Sequence, residues 1–333
     1  MSTALSEMPE TLQISIVIPA YNEAESLPAL IEQIENVIKT QAYKAEVIIV
    51  NDGSTDATID VLEQLVLKHI SAMLRIDVIH FRRNRGKAAA LIAGFAAAHG
   101  EIVVTMDADL QDDPTEIPKL LEVLHNGDND VVSGWKYPRK DPFEKRLFSF
   151  FFNRITALFT GVKLHDMNCG FKAYRLEVVK ELHLYGDLHR YIPILCAQAG
   201  FRIGEVKVKH HPRRFGVSKY GLKRIPKGFF DLLTVLFLTR YLKRPLHVFG
   251  MMGGLVAFIG VIIGCYLAIL WFMKGGVGFR PLLMMSVLMV ILGVQFFSIG
   301  LLGELLISFM SRFERGLETE KMESDTHQNE EKK

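Results

Sequence analysis

Two carboxylates, Asp107 and Asp109, stand one residue apart behind the apolar run Glu101-Ile102-Val103-Val104-Thr105-Met106. If that run is a strand, its two-residue period sets both side chains on one side, about 6 to 7 Å apart along the chain. That spacing suits one shared hard cation, Mg2+ or Mn2+, which takes carboxylate oxygens and completes its shell with phosphate oxygens and water. A cation so placed offsets charge developing on a leaving diphosphate. The next residues, Leu110-Gln111-Asp112-Asp113-Pro114, supply Gln111 as a further ligand candidate and Pro114 as a helix start. An Asp-x-Asp pair alone is weak, because a solvated turn with helix-start acids has the same composition; its place directly behind a strand carries the argument.

The elements that must position this pair follow from the pattern around it. Short β-branched runs at Ile14 to Ile18, Glu46 to Val50, Ile76 to Phe81, Glu101 to Met106 and Asp130 to Val132 alternate with stretches of helical spacing. This predicts an α/β domain with a mostly parallel sheet and helices on both faces. Ligands of such sheets bind beyond the carboxyl ends of the strands. The chemically unusual residues fall at those ends: Pro19-Ala20-Tyr21-Asn22-Glu23, Asn51-Asp52-Gly53-Ser54 and Asp107-Ala108-Asp109. Helices are expected to begin near Glu23 and near Ser54 or Thr55, where capping explains Ser54 and Asp56. Capping does not explain Asp52, whose carboxylate directly after a strand can accept hydrogen bonds from a nucleobase N–H or a ribose hydroxyl.

Composition limits the alternatives. The 333 residues carry 39 basic and 37 acidic side chains, a net charge of +2, so there is no global basic field to draw the chain to nucleic acid. Cys169, Cys196 and Cys265 are spaced for neither a zinc site nor a disulfide framework and read as reduced thiols. His210 and His211, adjacent at the end of Arg202 to Lys209, point to opposite faces and do not make a zinc site.

The C-terminal part has another character. Val248 to Met273 and Pro281 to Gly303 hold no charged residue, and each is long enough to cross a bilayer. The loop of seven residues between them, Lys274 to Arg280, makes a hairpin. Arg240, Lys243, Arg244, Arg312 and Arg315 outside the hairpin outnumber Lys274 and Arg280 within its loop, so both termini are expected on the cytoplasmic side. A polar start without an export signal gives the same side. The expected boundaries are a flexible N-terminus (1–12), a cytoplasmic catalytic domain (13–222), a juxtamembrane amphipathic helix (223–247), transmembrane helices at 248–273 and 281–310, and a disordered charged tail (311–333). Phe143 to Thr160 and Leu222 to Leu242 combine apolar faces with basic flanks and suit a membrane interface, though the first also reads as a core helix with a basic edge. Gly250-x-x-x-Gly254 and Gly260-x-x-x-Gly264 offer small faces for packing within the hairpin or between protomers of a homo-oligomer.

Four ordered motifs, Ile16 to Glu23, Val50 to Asp56, Asn84-Arg85-Gly86-Lys87 and Asp107 to Gln111, resemble the family 2 glycosyltransferases with the A-type (GT-A) fold. Within that family, the hairpin and Gly216-Val217-Ser218-Lys219-Tyr220 are similar to the polyprenyl-phosphate branch, and the likeness covers about residues 13 to 310. The resemblance implies that Pro19, Ala20, Tyr21, Glu23 and Asp52 hold the nucleoside of a nucleotide-sugar and that Asp107, Asp109 and Gln111 surround a metal diphosphate. It implies that Arg214, Ser218 and Lys219 close on the donor phosphates, as cationic side chains suit phosphate oxygens. Lys87 points into the same crevice or is a solvated helix-start lysine. For the acceptor phosphate it implies Lys136, Arg146 and Ser149, with Lys145 and Arg154 as alternatives. In Leu164 to Arg175, Asp166 either orients a substrate or belongs to a structural turn.

The reaction so implied is inverting transfer of a hexose-type sugar from a UDP- or GDP-linked donor to a polyprenyl phosphate, with a separate flippase moving the product. A phosphate monoester is substantially ionised near neutral pH, its second pKa being about 6, so positioning and electrostatics matter more than a general base. Synthesis on a sugar hydroxyl is the enzyme alternative, disfavoured by the absence of a Gln-x-x-Arg-Trp segment. A scaffold that binds the donor without turnover is the non-enzymatic one.

Overall fold

The computed structural model describes residues 12–68, 73–137, 154, 156–158, 160–182, 188–212, 245–275 and 280–330, the last stretch with side chains as far as Phe309. It divides into two compact units, Met1–Val235 and Leu236–Lys333.

The first unit is built on seven strands: β1 (Ile14–Ala20), β2 (Ala45–Asn51), β3 (Leu74–His80), β4 (Ile102–Thr105), β5 (Val131–Lys136), β6 (Lys172–Arg175) and β7 (Ile203–Val208). They form one sheet in the order β3-β2-β1-β4-β6-β5-β7. Among them β6 alone runs against its neighbours, β4 and β5. The predicted mostly parallel sheet is therefore present, with β6 and β7 added to the strands read from sequence. Among the described residues six α-helices cover it: α1 (Leu27–Gln41), α2 (Thr58–Lys68), α3 (Lys87–Ala97), α4 (Ile117–Asn126), α5 (Leu176–Glu181) and α6 (Ile192–Ala199).

Strand alternation sorts the core into two layers. Ile14, Ile16 and Ile18 of β1 pack with Leu30 and Ile34 of α1, Leu62 of α2 and Leu120 of α4. The next residue on the opposite side, Val17, joins Ile48 and Val50 against Leu91 and Phe95 of α3, Val178 of α5 and Ile192 of α6. Burial on both faces explains why these strands are nearly continuous apolar runs.

Helices α1 and α2 begin later than expected, at Leu27 and Thr58, because the preceding residues are spent on each other. The backbone N–H of Asn22 donates to Ser54 Oγ (2.9 Å), that of Thr55 to Asn22 Oδ1 (2.8 Å) and that of Glu23 to Thr58 Oγ1 (3.0 Å). Asp56 then caps α2 by accepting from the Thr58 N–H at 3.1 Å.

The second unit is a pair of helices, α7 (Pro245–Lys274) and α8 (Arg280–Glu330). Their stretches Pro245–Met273 and Pro281–Phe309 are each 29 residues, with 18-residue windows of mean hydropathy 2.6 and 2.4, long and apolar enough to cross a membrane. The small residues of α7 are used inside this pair. Gly253 lies against the Gly293 carbonyl, Gly260 against Ser286 and Gly250 against Phe297, while Gly254 meets nothing within 4 Å. Ser286 Oγ donates to the Gly260 carbonyl at 2.8 Å. Glu304 accepts from the Leu246 N–H at 3.4 Å, satisfying a donor at the start of α7. Helix α8 runs on to Glu330, so the tail expected to be disordered is helical backbone here; its Glu, Lys, Met and Leu are good helix formers.

Candidate active site

The first wall of the crevice is made where β1, β2 and α3 meet. The Asp52 N–H donates to the Ala20 carbonyl at 2.8 Å, extending the ladder past both strands. Buried Asp52 accepts from the N–H groups of Arg85 (2.6 Å, Oδ1) and Gly86 (2.9 Å, Oδ2). Gly86 has φ 89°, a backbone that suits glycine, and it starts α3 so that Lys87 is the first residue of the helix. Asp52 therefore fixes the start of α3. A carboxylate has about four acceptor positions, which leaves room for a nucleoside donor group. Glu23 accepts from Ser26 Oγ at 2.7 Å.

Lys87 reaches across to Asp107, with Nζ on Oδ1. Asp107 is about one-third exposed. Its partial burial raises the carboxyl pKa, but the charges of Lys87 and Lys136, the Lys87 hydrogen bond and His189 bring it down to about 2. Gly170 closes the other side: a Cβ built on it would lie 2.9 Å from Asp107 Oδ2. The Gly170 carbonyl accepts from Thr105 Oγ1 at 2.8 Å, which pins that segment to the end of β4.

The strand period that would set Asp107 and Asp109 on one side stops at Thr105. Residues 108–109 turn, and Leu110 adopts φ 60°. Asp109 is buried and accepts from the Gln111 N–H at 3.2 Å. Among the described residues no three His, Cys, Asp or Glu side chains converge as a cation cage. Two carboxylates with Gln111 nevertheless fit the hard-cation pattern in which one or two protein carboxylates are completed by substrate phosphates.

Beyond Asp107 the crevice continues to Lys136, the last residue of β5. Its Nζ lies 3.4 Å from buried Asp112 Oδ1. Burial pulls the Lys136 pKa down, but the charges of Asp112, Asp107 and Asp166 outweigh it and hold the ammonium above its ordinary range. Lys172 of β6, also buried, donates to the Cys169 carbonyl, and burial together with the Lys87 charge lowers its pKa. Burial pushes the Cys169 thiol up to about 12, which makes it inert. The Asp166 N–H donates to Glu205 Oε1 at 2.9 Å, and His165 stacks on Trp135 with centroids 3.9 Å apart, so β5 and β7 jointly hold the 165–171 segment.

The chain resembles known proteins along nearly its whole length. Residues 15–183 match the profile "Glycosyl transferase family 2". The chain belongs to this family. It is 38% identical over 301 residues to the dodecaprenyl-phosphate galacturonate synthase of Rhizobium johnstonii, covering 89% of this chain and 88% of the relative. It is 34% identical over 305 residues to the undecaprenyl-phosphate 4-deoxy-4-formamido-L-arabinose transferase of Yersinia enterocolitica, covering 90% of each. Among solved structures it is similar in fold to glucosyl-3-phosphoglycerate synthase from Mycobacterium tuberculosis, crystallised with Mn2+, uridine diphosphate and phosphoglyceric acid. That likeness has TM-score 0.53 and 20% identity and covers 68% of this chain and 78% of the other. The sheet is that of a GT-A glycosyltransferase.

Within this family 2 site, Asp52, Lys87, Asp107 and Lys136 are linked through direct contacts or neighbouring backbone, as are Asp109 and Gln111. Pro19 and Ala20 end β1, with Tyr21 and Glu23 in the loop behind it. Arg146, Ser149, Arg214, Ser218 and Lys219, with most of both candidate interface segments, lie outside the described residues. Sequence reasoning missed the parts played by Asp112, Gly170 and Lys172. A lysine between Phe171 and Ala173 inside a short strand was the one available signal, since buried lysines need a partner.

Proposed function

We propose that the protein transfers a hexose-type sugar, with inversion at the anomeric carbon, from a UDP- or GDP-linked nucleotide-sugar to a polyprenyl phosphate at the cytoplasmic membrane face. The observation that carries this reading is the extent of the likeness. Two relatives named for polyprenyl-phosphate products match about nine-tenths of the chain, which takes the similarity beyond the catalytic region and into the apolar hairpin. A soluble acceptor would give that hairpin no purpose.

In this reading Asp52 and the Pro19–Glu23 segment receive the nucleoside, and Lys87 approaches the diphosphate from the start of α3. Asp107, Asp109 and Gln111 would hold Mg2+ or Mn2+, which when bound supplies a counter-charge to the leaving nucleoside diphosphate. Lys136, kept protonated and mostly buried, presents a cation to the acceptor phosphate, joined by Arg146 and Ser149. Arg214, Ser218 and Lys219 close on the donor. Catalysis then consists of holding two anions in line with the anomeric carbon and stabilising the departing charge.

The test is a transfer assay with purified protein in mixed micelles, Mg2+ or Mn2+, undecaprenyl or dodecaprenyl phosphate, and a panel of radiolabelled UDP- and GDP-sugars. Metal-dependent label in the lipid phase with one donor is expected. Donor binding without any lipid product across the panel would overturn the acceptor assignment.

A further inference from the structure

Asp112 is not among the residues to which the reaction above gives a role, yet three segments of the site meet on it. It is 2% exposed. Its Oδ1 faces Lys136 Nζ at 3.4 Å and has no hydrogen-bond partner, so the ammonium is the charge that compensates it there. Its Oδ2 accepts from the Asp107 N–H at 3.4 Å. Its backbone forms an antiparallel bridge with His210. The residues on either side of Asp112 reinforce that bridge: the His211 N–H donates to the Gln111 carbonyl at 2.9 Å, and His211 Nε2 pairs with Asp113 Oδ2 at 3.0 Å.

We propose that Asp112 is a positioning residue that sets the Lys136 ammonium for the acceptor phosphate. This rests on the polyprenyl-phosphate reading. A buried carboxylate whose counter-ion is one lysine holds that lysine in place, because separating the two leaves an uncompensated buried charge. Through Oδ2 the same carboxylate holds the backbone of Asp107.

The experiment is a double-mutant cycle with Asp112→Asn and Lys136→Met in the full-length protein. Asp112→Asn keeps shape and removes the charge; it is expected to raise the KM for undecaprenyl phosphate about tenfold, the scale of one charge-assisted contact. Donor KM and Mn2+ affinity should stay within about twofold of wild type, a split that a general structural defect does not give. Lys136→Met raises the acceptor KM by itself, and adding Asp112→Asn to it should raise the KM no further. An equal additional rise in the Lys136→Met background, or a parallel rise in donor KM, overturns the proposal.

Thermal unfolding of the same variants gives a readout that needs no acceptor. Lys136→Met strands the Asp112 charge and should lower Tm, and the double variant should recover part of that loss. Additive losses refute the pairing even where Asp112→Asn folds poorly. If the wild type makes no lipid product, the acceptor role falls with the functional reading, while the unfolding cycle still decides whether the two residues act as a pair.

Discussion

The Lys87 ammonium rests on Asp107 Oδ1, joining the first residue of α3 to the residue two places beyond β4. In this arrangement Lys87 occupies a lone pair that a cation at Asp107 would also use, and in the proposed reaction its own anionic target is the donor diphosphate. Replacing Lys87 with Met is therefore expected to have opposed effects. Mn2+ affinity, read by electron paramagnetic resonance, should rise because competition at Asp107 is removed. Donor kcat/KM should fall by about a hundredfold, the scale of one lost electrostatic donor to a developing anion. Unchanged donor kinetics would assign Lys87 to solvent-side support of the loop.

Gly170 is expected to tolerate no side chain. A Cβ there would stand 2.9 Å from Asp107 Oδ2 and 3.0 Å from Oδ1, so Gly170→Ala must push the carboxylate away from Lys87 or move the Thr105-bound backbone. The predicted cost is about 1 to 3 kcal/mol of stability from overpacking, with a larger proportional loss of transfer than of folded protein. Circular dichroism and transfer rates on the same preparation check it. A variant with wild-type kinetics would show that the position of Asp107 is not critical.

How far the site was legible follows the range of its signals. Asp52, Asp107 and Asp109 stand out because each sits just behind an apolar strand, and local pattern finds such residues. The sheet's parallel part was equally local. Strand β6 was not, for its four residues Lys172–Arg175 include two charged ones and pair across about seventy residues with β4. The same reach hid the contact of Gly170 with Asp107, since a glycine's closeness to a carboxylate 63 positions away leaves no trace in spacing. Strand alternation does not by itself relate Asp107 to Asp109, because β4 ends at Thr105 and residues 108–109 lie in a turn.

Asp109→Ala is expected to abolish transfer while leaving membrane insertion intact. Asp109 is buried in a turn, where its Oδ1 accepts from the Gln111 N–H, so the substitution disturbs the Gln111 backbone as well as removing a proposed cation ligand. Asp109→Asn separates the two effects, since the amide oxygen still accepts that bond. Loss of metal-dependent turnover in both variants, with membrane fractionation unchanged, assigns the charge itself. Turnover retained in Asp109→Asn would remove Asp109 from the proposed metal set.

Far from the site, Asp130 is expected to give the fold a measurable acid dependence. It accepts from the Arg202 N–H at 2.8 Å, and its carboxylate lies near the Arg202 and Arg175 side chains, tying together the starts of β5 and β7 and the end of β6. The backbone hydrogen bond from Arg202 is the main cause that lowers its pKa, with its side chain and Arg175 adding to it against slight desolvation. A carboxyl whose pKa is lower folded than unfolded stabilises the protein above its unfolded value, about 3.9. That contribution is lost as pH falls through the folded value, where both states are protonated. Asp130→Asn should thus unfold at lower temperature than wild type at pH 7, by about 1 kcal/mol or less because the site is near solvent. The difference should shrink as pH falls below about 4. Thermal unfolding of both proteins between neutral pH and the acid limit of solubility measures it, and a gap that stayed constant with pH would assign the effect to shape rather than to charge.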